Sequence, residues 1–106
     1  MYKAEDYTYR VFWSESDQEY VGSVVEFPYV SFLDKNRSKA FEGVTKAVED
    51  VLAIYLEDGE EPAVPLGKRK YTGKFALRMT KEQHQRVAME AAEQGVSINQ
   101  LLVSRV

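Results

Sequence analysis

The sequence predicts an α+β chain in two parts, and three observations carry that reading. Residues 7–33 alternate apolar and polar side chains in short runs broken by turn residues. Residues 36–58 place apolar side chains at helical spacing. Residues 73–106 read as one further alternating run followed by two capped helices. A small antiparallel sheet covered by one helix, then a strand-helix-helix segment, is the architecture these patterns describe.

In chain order, Tyr7, Tyr9, Val11 and Trp13 alternate with Thr8, Arg10 and Phe12, which predicts a first strand with a strongly aromatic face. Ser14-Glu15-Ser16-Asp17-Gln18-Glu19 is turn chemistry. Tyr20 to Phe27 is the second strand, the short link makes the pair a hairpin, and Pro28 halts it. Val30-Ser31-Phe32-Leu33 predicts a third strand. The first helix follows with Asn36 as its cap. Ala40, Phe41, Val44, Ala47, Val48, Val51, Leu52 and Tyr55 form a wide apolar face that must lie on the sheet. Asp58-Gly59 ends it. Glu60 to Leu66 is extended by Pro62 and Pro65, either as an edge strand or as the start of a stiff linker.

In Gly73-Lys74-Phe75-Ala76-Leu77-Arg78-Met79, the side chains of Phe75, Leu77 and Met79 fall on one face and those of Lys74, Ala76 and Arg78 on the other. Thr80-Lys81-Glu82-Gln83 has the form of a capping box, and Gly95 supplies the positive φ that ends the helix. Ser97-Ile98-Asn99-Gln100 is a second capping box, opening a helix with Ile98, Leu101 and Leu102 on its apolar side. A lone strand cannot satisfy its own hydrogen bonds, and two short helices cannot enclose a core. The segment therefore needs a partner, the simplest being a second copy of itself.

This order resembles the ribbon-helix-helix DNA-binding domain, in which two chains pair their strands and the ribbon enters the major groove. The resemblance implies Lys74, Ala76 and Arg78 as groove-facing side chains. It puts Phe75, Leu77 and Met79 in the shared core of a homodimer. It also sets Ser97 and Asn99 at the start of the second helix, where backbone N–H groups suit a DNA phosphate. That helix, reaching only Val106, is short for the family and leaves room for a natural chain that continues.

Charge divides in the same place. The 106 residues carry a formal −3. Residues 1–66 hold six Lys/Arg against fourteen Asp/Glu, a balance of −8, whereas residues 67–106 hold eight against three, a balance of +5. An acidic part joined to a basic part points to two functions, the basic one meeting phosphates. The other reading of Lys68-Arg69-Lys70 is a solvated linker. There is no cysteine, which excludes disulfides and thiolate zinc sites. The N-terminus has no apolar signal core, and no run approaches the roughly eighteen apolar residues that span a bilayer. A cytoplasmic protein is expected.

Across nearly its full length the chain resembles the HicB antitoxins with a C-terminal ribbon-helix-helix domain. The resemblance rests on the Tyr7-Thr8-Tyr9-Arg10-Val11 opening, Tyr20-Val21-Gly22, Glu26-Phe27-Pro28, the amphipathic helix, the Pro-containing basic linker and Gly73-Lys74-Phe75. It implies residues 1–63 as a partial ribonuclease-H-like domain that binds a HicA-type RNA-cleaving toxin, 64–72 as a linker, and 73–106 as the domain that represses the shared operon on operator double-stranded DNA. Homodimers or higher homo-oligomers would form through that last domain. The alternative is a solitary ribbon-helix-helix regulator whose N-terminal domain senses a ligand or oligomerises.

A ribonuclease-H-like fold invites a nuclease reading, which the carboxylates oppose. Two-metal cleavage needs several of them converging from strand centres, yet strand one has no acid between Tyr7 and Trp13, and Glu26 is the only acid expected within a strand. His84 is the sole histidine, without a His or Cys to share a metal, and reads as a packed or solvent-edge imidazole beside Val87, Ala88 and Ala91. No catalytic residue, metal site or cofactor is expected. The tyrosines and Trp13 could stack single-stranded nucleic acid, but a −8 surrounding repels phosphate. Core packing and a protein partner suit them better.

Overall fold

A computed structural model describes residues 1–106. The chain divides into two compact units, Met1–Tyr71 and Thr72–Val106. Among their elements are three antiparallel strands and three α-helices, an α+β fold.

The first unit opens with a 3-10 turn at Ala4–Asp6, followed by β1 (Tyr9–Ser14), β2 (Glu19–Val24), β3 (Ser31–Asp34) and α1 (Arg37–Asp58). The sheet order is β1-β2-β3, both pairs antiparallel. Val11 lies opposite Gly22, and Gly22 opposite Phe32. Asn36 caps α1 by accepting from the Lys39 N–H at 3.1 Å, and Gly59 ends it at φ 68°. Ala40, Val44, Val48 and Leu52 are its buried stripe, one residue per turn. Val44, Val48 and Leu52 meet Ala4, Tyr7, Val24, Phe27 and Val30 in a single core.

The third strand is displaced by one residue, to Ser31–Asp34 from the expected 30–33, and two other strand boundaries differ from the sequence reading by more. The first strand begins at Tyr9, because residues 4–6 coil into the 3-10 turn and accept the Tyr9 hydroxyl on the Ala4 carbonyl at 2.6 Å. Tyr7 is thereby freed from the strand and buried against the Phe27 ring, centroids 4.9 Å apart. The second strand ends at Val24, so Glu26 lies in the turn beyond it. The acids that do lie in strands are Glu19 and Asp34, at strand ends.

What sets the helix–sheet distance is a pair of glycines. A Cβ on Gly22 would come within 2.6 Å of the Ala40 carbonyl oxygen, and one on Gly43 within 2.5 Å of three carbons of the Phe32 ring. Helix backbone thus rests directly on strand β2, a position the sequence reading noted without seeing its purpose.

The second unit contains α2 (Lys81–Gln94) and α3 (Ile98–Val103). Both expected capping boxes form. Thr80 accepts from the Gln83 N–H at 3.1 Å, Ser97 from the Gln100 N–H at 3.0 Å, and each glutamine returns the bond to the cap's own N–H. Gly95 takes φ 68°. The expected strand over residues 73–79 is not formed in the single chain. A strand exists through its ladder, and the rest of this unit is helix and turn, so it offers no second strand to pair. Residues 60–65 likewise form no strand.

Gly22→Ala should cost the first unit about 1–3 kcal/mol through overpacking against helix backbone. Gly43→Ala should cost less, since its obstacle is a half-exposed ring that can turn and the helix gains propensity. Urea unfolding followed through Trp13, the only tryptophan, ranks the two; equal losses would contradict this account of the packing.

Candidate functional surfaces

Two surfaces stand out, one in each unit. In the second, Leu101 and Ala91 are the buried centre. Around them much apolar surface stays open: Phe75 is 87% exposed and Leu77 56%. Met79 is half-buried. Leu77, Met79 and Val87 line an open hollow of about 440 Å³ with Arg78, Gln83, Arg86, Glu90 and Arg105. Glu90 and Arg105 form an ion pair at its rim. Thirty-five residues cannot enclose a core of their own, and the uncovered side chains are those the sequence assigns to a shared one.

Lys74, Ala76, Arg78, Ser97 and Asn99 are all exposed. The Ser97 hydroxyl is occupied as the α3 cap, and the Lys74 N–H donates to the Thr72 hydroxyl at 3.3 Å. The second unit has five Lys/Arg against three Asp/Glu, a charge of +2. The first has nine against fourteen, a charge of −5. The basic run at 68–70 therefore belongs to the first unit. Lys68 there faces Asp6 at 3.7 Å, and the Arg69 Nε donates to the Val64 carbonyl at 2.9 Å.

In the first unit the acids Glu42, Glu49, Asp50, Glu57 and Asp58 are exposed along α1. Near its C-terminal end a hollow of about 230 Å³ is lined by Tyr29, Val51, Ile54, Tyr55, Asp58 and Glu60. The Tyr29 and Tyr55 hydroxyls lie 3.4 Å apart. That hydrogen bond, with burial adding to it, pushes the Tyr29 phenol up to about 12. The Tyr29 ring therefore stays neutral at physiological pH, and the acids of the lining are Asp58 and Glu60. Aromatic faces, an aliphatic wall and paired acids make a socket suited to a Lys or Arg side chain. Sequence reasoning named Tyr55 only as a core residue and did not find this hollow. Its parts come from α1 and from the segments at residues 29 and 60, which only folding brings together.

Glu26 has a different task. Its Oε1 accepts from the Thr8 N–H at 3.0 Å, and its Oε2 accepts from the Thr8 hydroxyl at 3.0 Å and the Leu66 N–H at 2.9 Å. Burial pushes its carboxyl up, but the Leu66 and Thr8 N–H bonds outweigh it and hold the group below its ordinary value of 4.5. The Tyr7 hydroxyl donates to the Ala63 carbonyl at 2.8 Å, and Pro65 is fully buried. The segment after α1 is thus tied to the strand layer, and the boundary between units falls after Tyr71. Asp34 accepts from the Asn36 N–H at 2.8 Å. His84 is exposed. No three His, Cys, Asp or Glu side chains gather at one point, and no helix is long and apolar enough to cross a membrane.

A family model described as "HicB family" matches residues 55–106. The matched stretch runs from the last turn of α1 through the tied segment and the whole second unit, leaving the sheet outside it. Over that stretch the chain is similar to the HicB family. No curated protein and no solved structure matched the chain.

The Glu26 bonds generate a pH prediction. A carboxyl held below its unfolded value contributes stability that is complete above about pH 4.5. That contribution is lost as the pH falls through the folded value. In Glu26→Gln the urea midpoint of the first unit should be lower at pH 7, and the acid-side decline below pH 4.5 should be shallower than in the parent chain. Parallel acid limbs would show that Glu26 is not the titrating latch.

Proposed function

We propose that this chain is an antitoxin of a type II toxin–antitoxin system: a binding protein that neutralises a HicA-type RNA-cleaving toxin and represses its own operon. The observation that carries the reading is the division of labour between units, one acidic and closed, the other basic and unfinished, together with the HicB-family match over residues 55–106. The acidic α1 surface suits a basic RNase, with complementary fields favouring fast, oriented encounter. The tyrosine-lined hollow fits one of that toxin's Lys or Arg side chains.

In this reading two copies pair residues 73–79 as an antiparallel ribbon. Phe75, Leu77 and Met79 then turn inward over the 440 Å³ hollow, removing apolar surface that the single chain leaves in water. Lys74, Ala76 and Arg78 turn outward into the major groove, with Ser97 and Asn99 near the phosphates. The first unit carries its partial ribonuclease-H-like sheet as a docking scaffold. A solitary regulator that senses a small ligand would need an enclosed pocket, and both hollows are open.

Leu77→Asp should abolish dimerisation of residues 72–106 and operator binding together, since a carboxylate would be buried unpaired in the shared core. Sedimentation of that segment as a folded monomer that still binds operator would overturn the ribbon. Arg78→Ala tests the groove contact. Two guanidinium–guanine pairs per dimer, each worth about 1–3 kcal/mol, predict an operator affinity at least about tenfold weaker, with melting temperature and toxin binding unchanged. Residues 1–71, ending where the first unit ends, should inhibit the toxin's RNase activity alone, and added salt should weaken that inhibition. Full toxin activity beside an excess of this folded fragment would count against the assignment.

A further inference from the structure

The sheet of the first unit has one helix and therefore one open face. Gly22 meets the helix backbone, so its cross-strand neighbours Val11 and Phe32 point the same way, and Phe12, Val21 and Leu33 point to the other side. Those three are mutual partners in the register, Phe12 with Val21 and Val21 with Leu33. They make one apolar row across every strand. Phe12 is 44% exposed and Leu33 40%. On one side of the row lies Arg10, its guanidinium 5.7 Å from the Phe12 ring centroid; on the other lies Glu19, on the neighbouring strand.

We propose that this open face is a self-association surface, where the sheets of two copies pack face to face about a two-fold axis along the Phe12–Val21–Leu33 row. Such an axis lays each apolar side chain against its own counterpart. It also carries Arg10, about 7 Å to one side of the row, across to the side where Glu19 of the other copy stands. Both ends of the patch are then satisfied, twice. Charge selects a second copy over a basic partner. The three strands present one cation and one anion on this face, whereas the first unit of each copy carries −5 overall, with exposed acids along α1 and at Glu15 and Asp17 in the β1–β2 turn. Two such units repel everywhere except where their charge is balanced, and a basic protein is drawn to α1 instead. The patch is small, so the contact is weak alone and acts when another link holds copies close. It is additional to the C-terminal ribbon and would join ribbon dimers into larger assemblies.

Sedimentation equilibrium of the full chain tests it, up to about 1 mM. In the Leu77→Asp background, which removes the ribbon contact, the chain should still form a dimer. Adding Phe12→Ser should weaken that dimer at least about tenfold. Arg10→Glu and Glu19→Arg should each weaken it, and the two together should restore it, a rescue that a merely structural role would not give. A Leu77→Asp chain that is already monomeric at 1 mM, or a double charge reversal that restores nothing, overturns the proposal. So does a Phe12→Ser chain that keeps its mass but no longer inhibits the toxin, since that result gives the face to the toxin. If Leu77→Asp leaves a ribbon dimer intact, the ribbon reading fails on its own, and Phe12→Ser in the parent chain still reports on the sheet face.

Discussion

The first unit depends on how closely α1 approaches β2. Gly22 allows the Ala40 carbonyl to lie where any side chain would collide, and Val44 to sit beside it. From that contact the rest follows: Val44, Val48 and Leu52 reach the core formed with Val24, Phe27 and Tyr7. Had the helix stood off by the width of a methyl group, the aromatic cluster would lose contact on one side, and dispersion falls steeply with such a gap.

That core in turn fixes the segment that leaves it. Tyr7 is oriented by packing on Phe27 and Tyr2, which aims its hydroxyl at the Ala63 carbonyl. Glu26, at the turn after β2, reaches across to the Leu66 N–H. Lys68, Arg69 and Tyr71 add contacts within the same unit. A stretch rich in proline and charge, read from composition as a spacer, is thereby held for most of its length.

The second unit shows the opposite economy. Its local signals are strong, two capping boxes and a left-handed glycine, and its helices form accordingly. Local signals decide helices because each helix closes its own hydrogen bonds within a few residues. The segment before them has no such resource. Its apolar alternation cannot become a strand without a second strand, so in one chain Phe75 and Leu77 remain in water.

Sequence alone therefore determined the α+β class, the helix caps at Asn36, Thr80 and Ser97, the glycine stops at Gly59 and Gly95, the hairpin, and the division of charge along the chain. These are properties of neighbours along the backbone, and periodicity reports them directly. Tertiary structure decided the rest. It moved Tyr7 out of the strand and into the core, because the 3-10 turn before it shortened β1. It turned Glu26 from the only expected strand acid into a latch for Leu66, forty residues away. It gathered Tyr29, Tyr55, Asp58 and Glu60 around one hollow and set Phe12, Val21 and Leu33 in one row, by a register that no single strand specifies. Each of these depends on which distant segments meet, and the side-chain pattern of one segment carries no record of its future neighbour.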